Sequence, residues 1–534
     1  MKHLQFRFAL VTMLLSFALS TVSAYDFEVD GLRYSITSLT DLTCCLESVE
    51  NSISGELVIP EKVKYLTKEL TVTSFNLRGG ANITSVVIPE SITSIGNFAF
   101  ENCTNLQSIV LHDGITRIGD YAFRDCINLQ SIVLHDGITR IGEYAFEGCK
   151  ELSAISIPPS VTYIGKGAFD YCYELKKVIL EDGAKEIRIR ESSKVERVYD
   201  FGEYYYYYCG AFAYSTIDYL YVGRNCLKPD FDYGYSQTPE SPFGSCTFKK
   251  VVIGDSCTSM PSFKEVHSKC ETYVDTLIIV GRGITAIPAS SFYKCKGLSL
   301  VDMTNSSITE IRDNAFSESM LKKIEFPNTV LAIGTETFFK CKQLEQINLG
   351  ESVEQIGDGA FKDCDYLQAI ELPQSLISIG GSCFQNCTSL KEIELPSKIS
   401  SLNSYTFSGC SNLTTITIGE SFISFGRDAL SGCGNIERIN CKCITPPSFV
   451  NQSFTIKQYT EAIVCVPKGT LESYQSADIW MNFWNLQEYD ESTEINEVTA
   501  KKQNCNLLFD LQGRKLSAPQ KGINIINGKK ILVK

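Results

Sequence analysis

The chain has 534 residues and a formal charge of −13, from 49 Lys and Arg against 62 Asp and Glu. That balance argues against nucleic acid as a partner, because phosphate binding depends on clustered basic side chains. Its 22 cysteines would suggest a disulfide framework in an exported protein, but their spacing gives most of them another role.

Residues 1–24 read as a secretory signal. Lys2 and Arg7 precede an apolar stretch from Phe8 to Val22, and Val22-Ser23-Ala24 offers small residues for cleavage. The stretch is short for a bilayer span and no other long apolar run follows, so no transmembrane segment is expected after signal removal. Losing Lys2 and Arg7 takes the formal charge from −13 to −15. Residues 25–52 are the expected N-terminal cap. Within Tyr25–Tyr34 the pair Asp30-Gly31 predicts a hairpin turn that would cover the open end of a stack.

From residue 53 a period of 23 residues takes over. Cys103, Cys126, Cys149 and Cys172 follow it, as do Cys341, Cys364, Cys387, Cys410 and Cys433, with Cys295 two periods before Cys341. A Phe stands three residues ahead of nearly every one, from Phe100, Phe123, Phe146 and Phe169 to Phe292, Phe338, Phe361, Phe384 and Phe407. Leu106, Ile109, Leu111, Ile115, Ile118, Gly119, Ala122, Phe123 and Cys126 make one complete unit. This order of Leu and Ile at such a period is a leucine-rich-repeat signature. It predicts a solenoid, mainly β with short helical turns, of about fifteen units capped at both ends. Ile109 and Leu111 alternate with Ser108 and Val110 as a half-buried strand would. Ala122, Phe123 and Cys126 are spaced to share one inner side. A single unit cannot bury its apolar side alone, so stacking turns these positions into ladders, and ladder cysteines act as small buried hydrophobes. The off-ladder Cys44, Cys45, Cys226, Cys257, Cys270, Cys441, Cys443, Cys465 and Cys505 remain the disulfide candidates.

The regular stretches are 53–182 and 276–440. Residues 183–275 between them keep only fragments of the repeat, around Phe212, Phe243-Cys246 and Leu277-Ile279, and carry the run Tyr204, Tyr205, Tyr206, Tyr207 and Tyr208. Exposed tyrosines would suit protein or sugar contacts, and alternate ones could instead fill a wider core. Residues 441–492 break the pattern with Pro446-Pro447 and an aromatic-rich end, as expected of a C-terminal cap. The tail, 493–534, is basic, with a net +5 against −20 for residues 25–492.

The unit IGDGAFKDCDYLQAIELP (356–373) resembles the BspA-like leucine-rich-repeat surface proteins of the Bacteroides group, and the resemblance covers most of residues 53–443. The tail FDLQGRKL…KGINIINGKKILVK is similar to C-terminal sorting segments of that phylum. The resemblance implies an exported protein at the cell surface, associated with the outer membrane or secreted, that mediates adhesion by binding a host or bacterial surface protein. A glycan-binding protein and a structural or accessory envelope component are the alternatives.

No Walker loop, HExxH, GxSxG or EF-hand pattern occurs, and no enzyme, cofactor or metal is expected. His112 and His135 occupy equivalent positions in near-identical repeats, without a third ligand in view. The expected binding site is the concave strand face, where the residue between two strand hydrophobes points to solvent. Its N-terminal part is apolar or neutral (Val110, Val133, Ser156, Ile179). Its C-terminal part carries Asp302, Glu325, Asn348, Glu371 and Glu394, a stripe that would steer a basic partner.

Overall fold

The computed structural model describes residues 25–489 apart from 81, 191–194, 201–202, 209–210, 213–214, 228–242, 244–245, 262, 264–272 and 452–453. It also describes the backbone of three tail strands. The signal segment 1–24, the loop 228–242, His267, Cys209, Cys270, Cys505 and most of the tail lie outside the described residues.

The chain is a mostly β solenoid of about fifteen 23-residue turns with very little helix. Each coil has three sides, and each side is tied to the next coil by backbone hydrogen bonds. The first side is a parallel sheet. Strands Gly55–Val58, Ile83–Val87, Ser108–Val110 and Ser131–Ile132 run side by side, and an eight-stranded parallel run continues from Ala154–Ile157 to Gln346–Asn348. A further parallel run starts at Glu392–Glu394. Register is exact from coil to coil, with Ile109 beside Val86 and Ile132 beside Ile109.

The second side is a sheet of very short strands, among them Arg117–Ile118, Arg140–Ile141 and Tyr163–Ile164, again parallel. At its corner Gly119, Gly142 and Gly165 bring neighbouring coils together. A Cβ at Gly142 would stand 2.4 Å from the carbonyl carbon of Gly119. Arg312 and Asn403 occupy this column in other coils, so the close approach belongs to the regular ones.

The third side holds the Ala-Phe-x-x-Cys segment. Its spacing suggests a helical turn, yet the segment is a pair of tight turns, closed by Arg124 N–H to Tyr121 O and Cys126 N–H to Phe123 O. Tyr121 and Asp125 have positive φ, 56° each. That handedness turns alternate amides toward the next coil, where Tyr121, Phe123 and Asp125 N–H donate to the carbonyls of Glu143, Ala145 and Glu147. A non-Gly residue in this region costs about 1–2 kcal/mol, and the inter-coil hydrogen bonds offset it.

Inside, the Phe rings form one column. Phe75, Phe100, Phe123, Phe146 and Phe169 lie 5.0–5.2 Å apart, and Phe338, Phe361, Phe384 and Phe407 repeat the spacing. The column does not stop between residues 183 and 275. Phe212, Phe243 and Phe263 carry it across to Phe292. Strands Thr216–Val222, Thr247–Ile253 and Tyr273–Ile279 keep the first sheet continuous over the same stretch. This region therefore contributes whole coils, with extra length placed in loops outside the spine. Arg224 is fully buried there and donates to the carbonyls of Pro158 and Pro159 two coils earlier.

The ladder thiols have a hydrogen-bonding role. Cys126, Cys149 and Cys172 each donate to the carbonyl of the Phe 26 residues earlier, at 3.1–3.2 Å, and Cys364, Cys387, Cys410 and Cys433 do the same. No disulfide joins any of the nineteen described cysteines, the off-ladder candidates Cys44, Cys45, Cys226, Cys257, Cys441, Cys443 and Cys465 among them. Cys257 and Cys443 donate to backbone carbonyls in the same manner.

Both ends are closed. At the N-terminus, Phe27–Val29 and Leu32–Ser38 form the expected hairpin, with positive φ at Asp30 and Gly31. The cap sheet reaches beyond residue 52, because Lys62–Tyr65 and Lys68–Phe75 join it, and its last strand delivers the first ring of the Phe column. At the C-terminus, Ile463–Pro467 and Asn485–Tyr489 extend the first sheet. Helix Ile456–Glu461 opens with a Thr455/Gln458 capping box, and Gln458 Nε2 donates to Cys433 O. Trp480 is buried with its indole N–H on Pro447 O, while Tyr474 donates to Cys443 O.

Candidate binding surface

The outward residues of the first sheet form straight columns because, apart from a shift at Gly55/Glu56, the register holds from coil to coil. In the column following the first buried strand residue, Val58 pairs with Val87 and Val87 with Val110, and Val133 stands next in line. These four valines are 59, 43, 76 and 76% exposed. Ser108, Ser131 and Ala154 line the adjacent column and keep it low. The result is a ridge of β-branched side chains at about 4.8 Å intervals on a flat sheet. A contiguous exposed apolar patch rimmed by polar residues marks a contact surface more often than scattered apolar residues do. Val58 and Val87 are members that the sequence pattern does not single out. Strand pairing shows that Val58 belongs to the same column.

The acidic stripe lies on this sheet, with Asp302 beside Glu325 and Glu325 beside Asn348. Part of its charge is offset locally. Asp302 accepts hydrogen bonds from the Thr304 N–H and hydroxyl, and Asn348 accepts one from Gly350 N–H, so both close the turn after the strand. Glu325 pairs with Lys323 at 2.6 Å and Glu394 with Lys442 at 2.9 Å. Glu371 is exposed and forms no ion pair among the described residues. Ion pairs thus offset Glu325 and Glu394, while Asp302 and Glu371 keep their charge.

Tyr204 to Tyr208 lie in strand Glu203–Tyr208, which among the described residues pairs with Val195–Asp200 as a separate antiparallel hairpin. Their side chains lie outside the described residues. A depression of about 520 Å³ opens over the second sheet, lined by Glu310, Arg312, Gln355, Asp358, Ser378 and Asn403 among others.

Groups with reactive potential are held in structural roles. His112 and His135 each accept a hydrogen bond at Nδ1 from the amide of the Gly two residues on. Burial pushes the Cys103 thiol up to about 11 and the Cys341 thiol up to about 12, and drives Cys126, Cys149 and Cys364 well above the ordinary value. A protonated buried thiol is a poor nucleophile. No helix among the described residues is long and apolar enough to cross a membrane.

A comparison with curated proteins finds no match. Among solved structures, a leucine-rich repeat protein from Bacteroides ovatus is 24% identical, covering 78% of this chain and 94% of its own, with a TM-score of 0.38. A leucine rich cell surface protein from Faecalibacterium prausnitzii is 22% identical over 78% of this chain and 95% of its own, with a TM-score of 0.35. The pneumococcal vaccine antigen PcpA is 15% identical, with 87% and 98% coverage and a TM-score of 0.27. The sequence pattern of the BspA type leucine rich repeat region matches in six copies, at residues 71–192, 264–365 and 331–457. With more than half of its length matched by that pattern, the chain belongs to the BspA-type leucine-rich repeat family.

Proposed function

We propose that this protein is exported to the cell surface and works without catalysis, its first sheet docking a protein of the host or of another bacterium. The valine ridge carries the reading. Val58, Val87, Val110 and Val133 leave water only if something covers them, and the described fold places no element over them. A rigid sheet also loses little conformational freedom on binding, which favours affinity for a preorganised surface. Glu371 and the partly neutralised acids farther along would add orientation more than strength.

The test is binding of the purified full-length chain to a panel of extracellular matrix and bacterial surface proteins. Val110→Lys/Val133→Lys should weaken the interaction at least about tenfold, the loss of two desolvated valines at about 1.5 kcal/mol or more together. Its melting midpoint should stay unchanged. Retained affinity in the double variant, or no binding by the parent at micromolar concentration, overturns the assignment. Export is tested separately, by protease shaving of intact cells that produce the chain with and without residues 493–534.

A further inference from the structure

We propose that the second sheet holds a binding site for an acidic polysaccharide, formed by Arg117, Arg140 and Tyr163. The site is on a different side of the coil from the valine ridge and does not depend on what that ridge binds.

The short strands of this sheet place one outward residue per coil in a single column. Arg117 is in register with Arg140, Arg140 with Tyr163, and Tyr163 with Arg188. Neighbouring strands lie about 4.8 Å apart, so the first two are like charges directly opposite each other, an arrangement that destabilises a sheet unless something neutralises it. Nothing in the described fold does. The Arg117 side chain is exposed and forms no hydrogen bond or ion pair with any described residue. Arg140 lies over the Tyr163 ring at 3.9 Å from its centroid, and its Nε is buried without a hydrogen-bond partner. Asp120, three residues after Arg117, accepts the Glu143 N–H at 2.8 Å, and no ion pair joins it to Arg117 or Arg140 among the described residues.

The fold does not require arginine here. The same column holds Ser94, Ala332, Gln355, Ser378, Ser401 and Ser424 in other coils, all beside an inward Ile, Leu or Phe that does the packing. In a chain whose overall charge is −13, two adjacent unpaired guanidinium groups stand out as a local reversal of sign.

The chemistry of the surroundings selects the ligand class. Guanidinium forks match carboxylate and sulfate groups, to which they donate paired hydrogen bonds. Tyr163 adds a ring against which the C–H face of a sugar can pack, with a hydroxyl at its edge. Exposed Thr93, Thr116, Thr139 and Thr162 form a hydroxyl column alongside. Thr116 and Thr139 donate to the carbonyl of the preceding Thr, which leaves their oxygen lone pairs facing solvent. Charge, a ring and a row of hydroxyls on a flat surface fit a polymer of acidic sugars. No large apolar residue accompanies them, as insertion into a lipid surface would need.

Binding of the full-length chain to immobilised dextran sulfate, polygalacturonate and neutral dextran tests this. The two acidic polymers distinguish sulfate from carboxylate as the recognised group. The parent should bind at least one of them and not neutral dextran. Arg117→Ser/Arg140→Ser should lose at least about tenfold in affinity, the scale of one or two hydrogen bonds to charged groups. Lys322→Ser/Lys398→Ser makes the same change in net charge at exposed sites elsewhere and should bind within about twofold of the parent. Arg117→Ser alone, at a side chain without a hydrogen bond or ion pair among the described residues, should show part of the loss with an unchanged melting curve. Equal losses in the two double variants, or no binding by the parent, overturn the proposal. So does duplex DNA that competes for the site with the same dependence on Arg117 and Arg140, because the recognised class would then be a phosphate backbone.

Discussion

The column of buried thiols should make the solenoid sensitive to alkali from about pH 9 upward. In the unfolded chain a cysteine ionises near its ordinary value of 9.0, whereas in the fold Cys103 is pushed up to about 11 and Cys126 and Cys149 well above 9.0, in each case mainly by burial. Between these limits the unfolded state releases a proton that the folded state keeps. The thiols' contribution is therefore fully present below pH 9 and falls as pH rises toward the folded values. Linkage puts the loss at about 0.4 kcal/mol per thiol at pH 9 and about 1.4 kcal/mol at pH 10. The block Cys103, Cys126, Cys149 and Cys172 then loses about 6 kcal/mol by pH 10, comparable to the whole stability of a small domain. Urea unfolding of the full chain, followed by circular dichroism at pH 7, 8, 9 and 10, should show a midpoint that is level at first and then drops steeply. Cys126→Ser/Cys149→Ser, which copies the Ser319 found at the same inner position, should reduce the drop by about 3 kcal/mol at pH 10. Identical pH slopes for parent and double variant would refute the reasoning, since the thiols would then titrate alike in both states or be tied up in disulfides.

Two further substitutions probe the spine. Phe146→Ala removes a ring that lies 5.1 Å from Phe123 and 5.2 Å from Phe169, and should cost about 3–5 kcal/mol; hydrogen exchange should show lost protection centred on residues 123–169 and native protection near the C-terminal cap, as expected of a quasi-one-dimensional stack. Gly142→Ala would set a Cβ 2.4 Å from the Gly119 backbone and should cost about 1–3 kcal/mol or more. Gly434→Ala, with nothing within 4 Å of the added carbon, should be neutral or slightly stabilising in the same melt.

The solenoid is legible in the sequence because its inner residues must repeat. Each Ile, Phe and Cys faces a copy of itself about 5 Å away, so the physical constraint is written as a period. Where coils vary in length the period fails although the constraint persists. Phe212, Phe243, Phe263 and Phe292 follow one another at 31, 20 and 29 residues, yet their rings stack within 6.4 Å. Stacking fixes the ring position and leaves the loop outside the coil free, and added loop length costs little. Phe263 and the Phe316/Ser319 unit escape the periodic pattern for that reason. The turn carrying Ala122, Phe123 and Cys126 looks helical in sequence because its spacing fits a helix. Its positive φ values at Tyr121 and Asp125 have no sequence mark, since Gly148 and Tyr171 take equivalent places in later coils. The acidic stripe is visible as letters, but the partner of Glu394 is Lys442, 48 residues on. No local pattern announces that pairing.

These differences follow from how a solenoid divides its sequence. Inward positions answer to the coils above and below, and they are nearly constant. Outward positions answer only to solvent and ligand, and one column can hold Ser94, Arg117, Arg140, Tyr163, Glu310, Ala332 and Ser378 on the same backbone. A single unit therefore says little about recognition, because its outward residue has no meaning without its neighbours. Exact register converts separate letters 23 residues apart into adjacent side chains at about 4.8 Å. Val110 beside Val133 becomes part of an apolar ridge, and Arg117 beside Arg140 becomes a place where an acid group is missing. On this fold a ligand recognised by more than one coil must present its own groups at a spacing the coils can meet. Extended polymers and flat protein surfaces do so more readily than small compact molecules, which is why both proposals for this chain name ligands of that kind.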